Sequence, residues 1–90
     1  MFYVYVLKSN RDNSLYIGYT NDLKRRFVEH NEGKNISTKY KTPFELVYYE
    51  AYRAQRDAKD REKMLKQFSG SYTHLKHRIK HSLQFHVRGR

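Results

Sequence analysis

The sequence predicts an α/β protein of the α+β kind: a three-stranded antiparallel sheet flanked by helices, in the order β-β-α-β-α-α. Three observations predict it. Short β-branched and aromatic runs stand at residues 2–7, 15–18 and 44–50. Apolar residues at helical spacing follow the second and third runs. Polar turn clusters separate these segments, and the single proline closes one of them.

Each element has its own warrant. Phe2 to Leu7 is unbroken by any polar residue other than tyrosine, which suits a strand buried on both sides. "KSNRDNS", residues 8–14, reads as the turn of a hairpin that resumes at Leu15 to Gly18. Thr20, Asn21 and Asp22 can each cap the following helix, Leu23 and Phe27 give it an apolar face, and Gly33 can stop it. "KNISTKYKTP" is a lysine-rich loop, and "FELVYYE" is the third strand. A long helix is expected from Ala51 or Tyr52 to about Phe68, on the stripe Ala54, Ala58, Leu65 and Phe68. Gly70 should interrupt it, before a shorter helix on Tyr72, Leu75, Ile79 and Leu83. The expected organisation is one domain over residues 1–83 and a basic tail over 84–90.

Composition narrows the function. Ninety residues suffice for one small core. Nineteen Lys and Arg against nine Asp and Glu give a formal charge of +10, self-repelling unless a polyanion is the usual partner. Nucleic acid is the expected partner, because neutralising phosphates releases counterions. The absence of cysteine excludes a disulfide framework, a thiolate metal site and a cysteine nucleophile. The apolar start is too short for a signal peptide or membrane span, so a cytoplasmic location is expected.

Several constellations could carry chemistry. Arg26 and His30 lie four apart on the first predicted helix, hence on one face. They could bind a phosphate and move a proton, or simply form a solvated basic face. Tyr5 and Tyr16 fall on adjacent strands and could face one pocket or merely stabilise the sheet. Glu62 is the only acid from residue 61 onward and borders the apolar stripe. It is either an ordinary partner of Arg61, Lys63 or Lys66, or the carboxylate of a hard divalent cation. His74, His77 and His81 share helical spacing but sit among Lys76, Arg78 and Lys80, which suits a nucleic-acid-facing surface better than a metal. Lys24, Lys66, Lys76, Arg78 and Lys80, with Tyr72 and Phe85, are the expected nucleic-acid contacts.

Taken in order, these motifs resemble one family. "YVYVLKS" followed by "LYIGYTNDLKRRFVEHN" is similar to the paired motifs and first helix of the GIY-YIG endonuclease domain. "FELVYYEAYRAQRDAKDREKMLK" resembles its third strand and the helix carrying its metal-binding glutamate. The likeness runs from about Met1 to Lys80 and is nearest to small stand-alone bacterial members, similar to the nuclease domain of the excinuclease of DNA repair. Tyr3 stands where the first motif has glycine, Tyr19 where a polar or basic residue is expected, and no asparagine follows Asn35. The resemblance implies the GIY-YIG fold and metal-assisted hydrolysis of a DNA phosphodiester, with a role in DNA repair. By it, Glu62 would hold one Mg²⁺ or Mn²⁺ and Arg26 would neutralise the phosphoryl group. Tyr5, Tyr16 and His30 would handle the attacking water and its proton, and Gly18 would be structural. A non-catalytic nucleic-acid-binding module of the same fold, and a regulatory or RNA-associated protein, are the alternatives. Targeting would need weak specificity, a protein partner or a second copy of the chain.

Overall fold

The structure, a computed structural model, describes residues 1–84, so Phe85 and all of the expected tail except Gln84 lie outside the described residues. Strand β1 (Phe2–Ser9) pairs antiparallel with β2 (Leu15–Thr20) on one side and β3 (Phe44–Tyr52) on the other. The sheet order is therefore β2-β1-β3. The central place of β1 explains its unbroken apolar run: Val4 and Val6 face one core, and Tyr5 and Leu7 face another. Helix α1 (Leu23–Asn31) covers the Tyr5 face with Leu23 and Phe27, and a short 3-10 turn (Lys39–Lys41) follows. Helices α2 (Gln55–Gln67), α3 (Ser69–Arg78) and α4 (Lys80–Gln84) follow β3, and Ala58, Leu65, Leu75 and Ile79 cover the valine face. Among the described residues no helix is long and apolar enough to cross a membrane.

The order β-β-α-β-α-α holds, with the last helix split in two. The boundaries differ from expectation where tertiary pairing overrides local signals. β1 runs on to Ser9, which is buried because its hydroxyl donates to the Lys41 carbonyl at 2.5 Å and accepts the Arg11 amide at 3.0 Å. β3 runs on to Tyr52 because β1 supplies partners for Ala51 and Tyr52 in Tyr3 and Phe2. The helix thus starts at Gln55, leaving Ala54 exposed ahead of it, and only Ala58 and Leu65 of the expected stripe are buried. The break falls at Phe68, which is extended and 57% exposed, while Gly70 lies inside α3. A second break, at Ile79, separates α3 from α4 while keeping Leu75, Ile79 and Leu83 against the core.

One polar cluster anchors β3 to α2. The Glu50 carboxylate receives the Tyr48 hydroxyl at 2.7 Å, the Tyr52 hydroxyl, and the Arg61 guanidinium at 3.0 Å. A part-buried carboxylate is costly unless so satisfied.

Candidate functional site

The site is built where β1, β2 and α1 meet. Tyr5 stands opposite Gly18, and Tyr16 opposite Leu7, so the two tyrosines are diagonal neighbours on one face. Their ring centroids are 6.3 Å apart. The Tyr5 phenol crosses β2 at Gly18, where a Cβ would collide with its oxygen and Cζ. Glycine is needed there for space.

Helix α1 is aimed at this face by its ends. Asp22 caps it, accepting the Arg25 amide at 3.1 Å, and Thr20 accepts the Asp22 amide at 3.1 Å. At the far end, the Asn31 side chain clips the backbone of Phe44, receiving its amide at 2.6 Å and donating to its carbonyl at 3.1 Å. Gly33 then adopts φ +75°, the left-handed stop expected of it. This geometry delivers His30 into the core, fully buried.

His30 uses both ring nitrogens. Nε2 lies 2.9 Å from the Tyr5 hydroxyl and Nδ1 lies 3.0 Å from Thr38 Oγ1. Its ring meets Tyr16 edge-on at 4.9 Å between centroids and Phe44 at 6.0 Å. Burial, helped by the nearby Arg26 cation and opposed by Glu29, pushes its pKa down to about 4, so the imidazole is neutral at physiological pH. Burial likewise pushes the Tyr5 phenol up to about 12, against the lowering effect of the nearby Arg26 cation. Tyr5 is only 1% exposed, whereas Tyr16 is half-buried and open to solvent.

Arg26 therefore stands beside both His30 and Tyr5, and its free arm meets Glu29 Oε1 at 3.3 Å. Arg25, one position earlier, points to solvent between Asp22 and Glu29. Tyr5, Tyr16, Arg26 and His30 are thus brought together. Glu62 approaches from α2: its carboxylate receives the Lys66 ammonium at 2.9 Å, and that ammonium lies 5.8 Å from the Tyr16 ring centroid. The negative charge of Glu62 also reaches Tyr5.

Among the described residues there is no group of three or more His, Cys, Asp or Glu able to hold a metal, and His74, His77 and His81 form none. Glu62 offers a single part-buried carboxylate. That donor set fits a hard cation that keeps water and substrate oxygens in its remaining positions, provided Lys66 gives way.

The expected nucleic-acid contacts do not form one patch. Lys24 is exposed on α1, beside a groove of about 530 Å³ lined by Tyr3, Leu23, Phe27 and Tyr49, on the Tyr5 side of the sheet. Lys76 and Lys80 border a shallow hollow with Thr73 and His77 on the opposite side, and Lys76 lies 4.4 Å from the Tyr72 ring centroid. Arg78 is exposed on the same helix as Lys76.

Sequence reasoning passed over Thr38, buried to 2% exposure in the lysine-rich loop and bonded to His30. A threonine in a polar loop carries no periodic signal. The one local cue is Asn35, whose side chain makes an Asx turn by accepting the Ser37 amide at 3.0 Å.

Comparison with known proteins agrees with this fold. Residues 1–81 match the GIY-YIG catalytic domain. A UPF0213 protein of Bacillus pumilus is 48% identical over 61 residues, spanning 67% of this chain and 61% of that protein. One of Staphylococcus epidermidis is 43% identical over 68 residues, spanning 74% of this chain and 82% of its own. The solution NMR structure of a UPF0213 protein from Bacillus halodurans superposes over the full length of both chains, with a TM-score of 0.57 and 27% identity. With the paired tyrosines, the cramped glycine and the helix-borne Arg26 and His30 in place, this chain belongs to the GIY-YIG family.

Proposed function

We propose that the chain is a divalent-metal-dependent endonuclease that hydrolyses DNA phosphodiester bonds, with branched or damaged DNA as its substrates. The observation that supports this best is the meeting of Tyr5, Tyr16, Arg26 and His30 in a chain of this family. Glu62 would hold one Mg²⁺ or Mn²⁺, which when bound polarises a phosphoryl oxygen and stabilises the leaving 3′-oxygen.

The chain's own residues do the remaining work. Arg26 exchanges its contact with Glu29 for a phosphoryl oxygen and neutralises charge that grows there. Tyr16, the tyrosine with access to solvent, orients the attacking water and takes its proton. Arg26 and Lys66 both stand near Tyr16 and bring positive charge to it. Buried Tyr5 and His30 form the wall that fixes the Tyr16 ring.

A second reading is a nucleic-acid-binding module without turnover, and the Glu62–Lys66 ion pair favours it, because that carboxylate already has a cation. Supercoiled and branched DNA, with matched RNA, incubated with Mn²⁺ or Mg²⁺ separates the two. Wild type should nick the DNA, and Glu62→Gln or Arg26→Ala should slow nicking by roughly 100-fold or more while leaving binding in place. Equal nicking by wild type and Glu62→Gln would leave only contamination. Tight binding with no nicking by any form would establish the module.

A further inference from the structure

We propose that Thr38 is the positioning residue of this site, holding His30 in the tautomer that carries its proton on Nδ1 and presents the Nε2 lone pair to the Tyr5 hydroxyl. The consequence for catalysis rests on the nuclease reading above; the tautomer itself does not.

The direction of the hydrogen bonds follows from the acceptor end of a chain of contacts. At one end is the Asn35 carbonyl, which can only accept. It lies 3.5 Å from Thr38 Oγ1, the longest link, and takes the single proton of that hydroxyl. The Thr38 oxygen is then left to accept from His30 Nδ1 at 3.0 Å. A neutral imidazole has one N–H, so once Nδ1 donates, Nε2 must accept, and the partner 2.9 Å away is the Tyr5 hydroxyl. At the other end the Arg26 guanidinium, which can only donate, stands beside Tyr5, whose oxygen keeps its lone pairs while its proton goes to His30. Each proton then passes in one direction, from Tyr5 to His30, from His30 to Thr38 and from Thr38 to the Asn35 carbonyl.

The groups facing His30 are consistent with this order. Tyr16 and Phe44 meet it with ring edges and offer no competing hydrogen bond. Arg26 and Glu29, from its own helix, act through charge. No buried side-chain nitrogen or oxygen among the described residues lacks a partner, so the chain is closed. Its effect is to aim the Tyr5 proton inward and fix the phenol oxygen toward Arg26. Without Thr38 the ring would be free to put its proton on Nε2, which would force the Tyr5 hydroxyl to turn.

Long-range ¹H–¹⁵N correlation NMR at neutral pH reads the tautomer directly, with His30→Gln assigning the signals. Wild type should give a protonated-type Nδ1 and a lone-pair-type Nε2. Thr38→Val should move both signals toward the other tautomer, and Thr38→Ser should restore the wild-type pattern. DNA nicking should fall roughly tenfold in Thr38→Val and recover in Thr38→Ser. A wild-type His30 protonated on Nε2, or a Thr38→Val spectrum identical to wild type, would overturn the proposal. These spectra require no cleavage, so a failure of the nuclease reading is seen separately in the nicking assay.

Discussion

Tyr5 lies with its phenol against the backbone of Gly18, its partner across β1 and β2, and leaves no room for a Cβ. This contact lets a side chain from the central strand reach across to His30 on α1.

Gly18→Ala should therefore destabilise the fold by about 1–3 kcal/mol, the usual cost of overpacking, and should displace the Tyr5 hydroxyl from His30. Gly70→Ala is the control. Nothing lies within 4 Å of a Cβ there, and the position is helical, so alanine should stabilise by up to about 1 kcal/mol. Urea unfolding of the two variants should shift the midpoint in opposite directions.

Stability should also fall with acid as His30 takes up its proton. The pKa of His30 is near 4 in the folded chain against 6.5 ordinarily, so the unfolded chain takes up the proton first as pH drops. The contribution is complete above about pH 6.5, is lost between about pH 6.5 and 4, and levels off below. Its size should be roughly 3 kcal/mol. Denaturant melts of wild type across this window should show the slope, and His30→Gln, which cannot titrate, should flatten it.

The parts of this protein legible in its sequence were those set by short-range periodicity and motif order. The β1 run, the capping cluster Thr20 to Asp22 and the Arg26 and His30 spacing translate into the sheet, the helix start and one side of the site. What was hidden depends on pairing across the chain. β3 gains Ala51 and Tyr52 because β1 has unpaired residues to offer them, and Ser9 is buried by the distant Lys41 carbonyl. Thr38 was illegible for the same reason, since its role exists only once the loop folds over His30.

The ion pair between Lys66 and Glu62 makes a prediction about metal affinity. A lysine at 2.9 Å competes with any divalent ion for the same carboxylate. Lys66→Met should therefore tighten Mn²⁺ binding several-fold, to the extent that an exposed pair worth about 0.5 kcal/mol or more must otherwise be broken. Electron paramagnetic resonance titration of free Mn²⁺ measures this without any substrate. The same variant should lose nicking if the ammonium assists Tyr16, so that tighter metal and slower cleavage would appear together. Unchanged Mn²⁺ affinity in Lys66→Met, alongside its loss in Glu62→Gln, would mean that Lys66 leaves the carboxylate at no cost.

The basic residues on the two sides of the sheet should separate by their salt dependence. Removing one cation that neutralises a phosphate lowers the slope of log affinity against log salt by about 0.9 for duplex DNA. Lys76, Arg78 and Lys80 lie on α3 and α4, away from the Tyr5 face that carries Arg26 and Lys24. If the duplex wraps over both faces, converting all three to Gln should lower the slope by about 2–3 and weaken binding at moderate salt by tenfold or more. Nicking at saturating protein should persist, because none of the three touches Tyr5, Tyr16 or His30. If DNA stays on the Tyr5 face, the triple variant should keep the wild-type slope, while Lys24→Gln alone should reduce it by about 1. Fluorescence anisotropy over a salt series, run on both variants, decides which face carries the substrate.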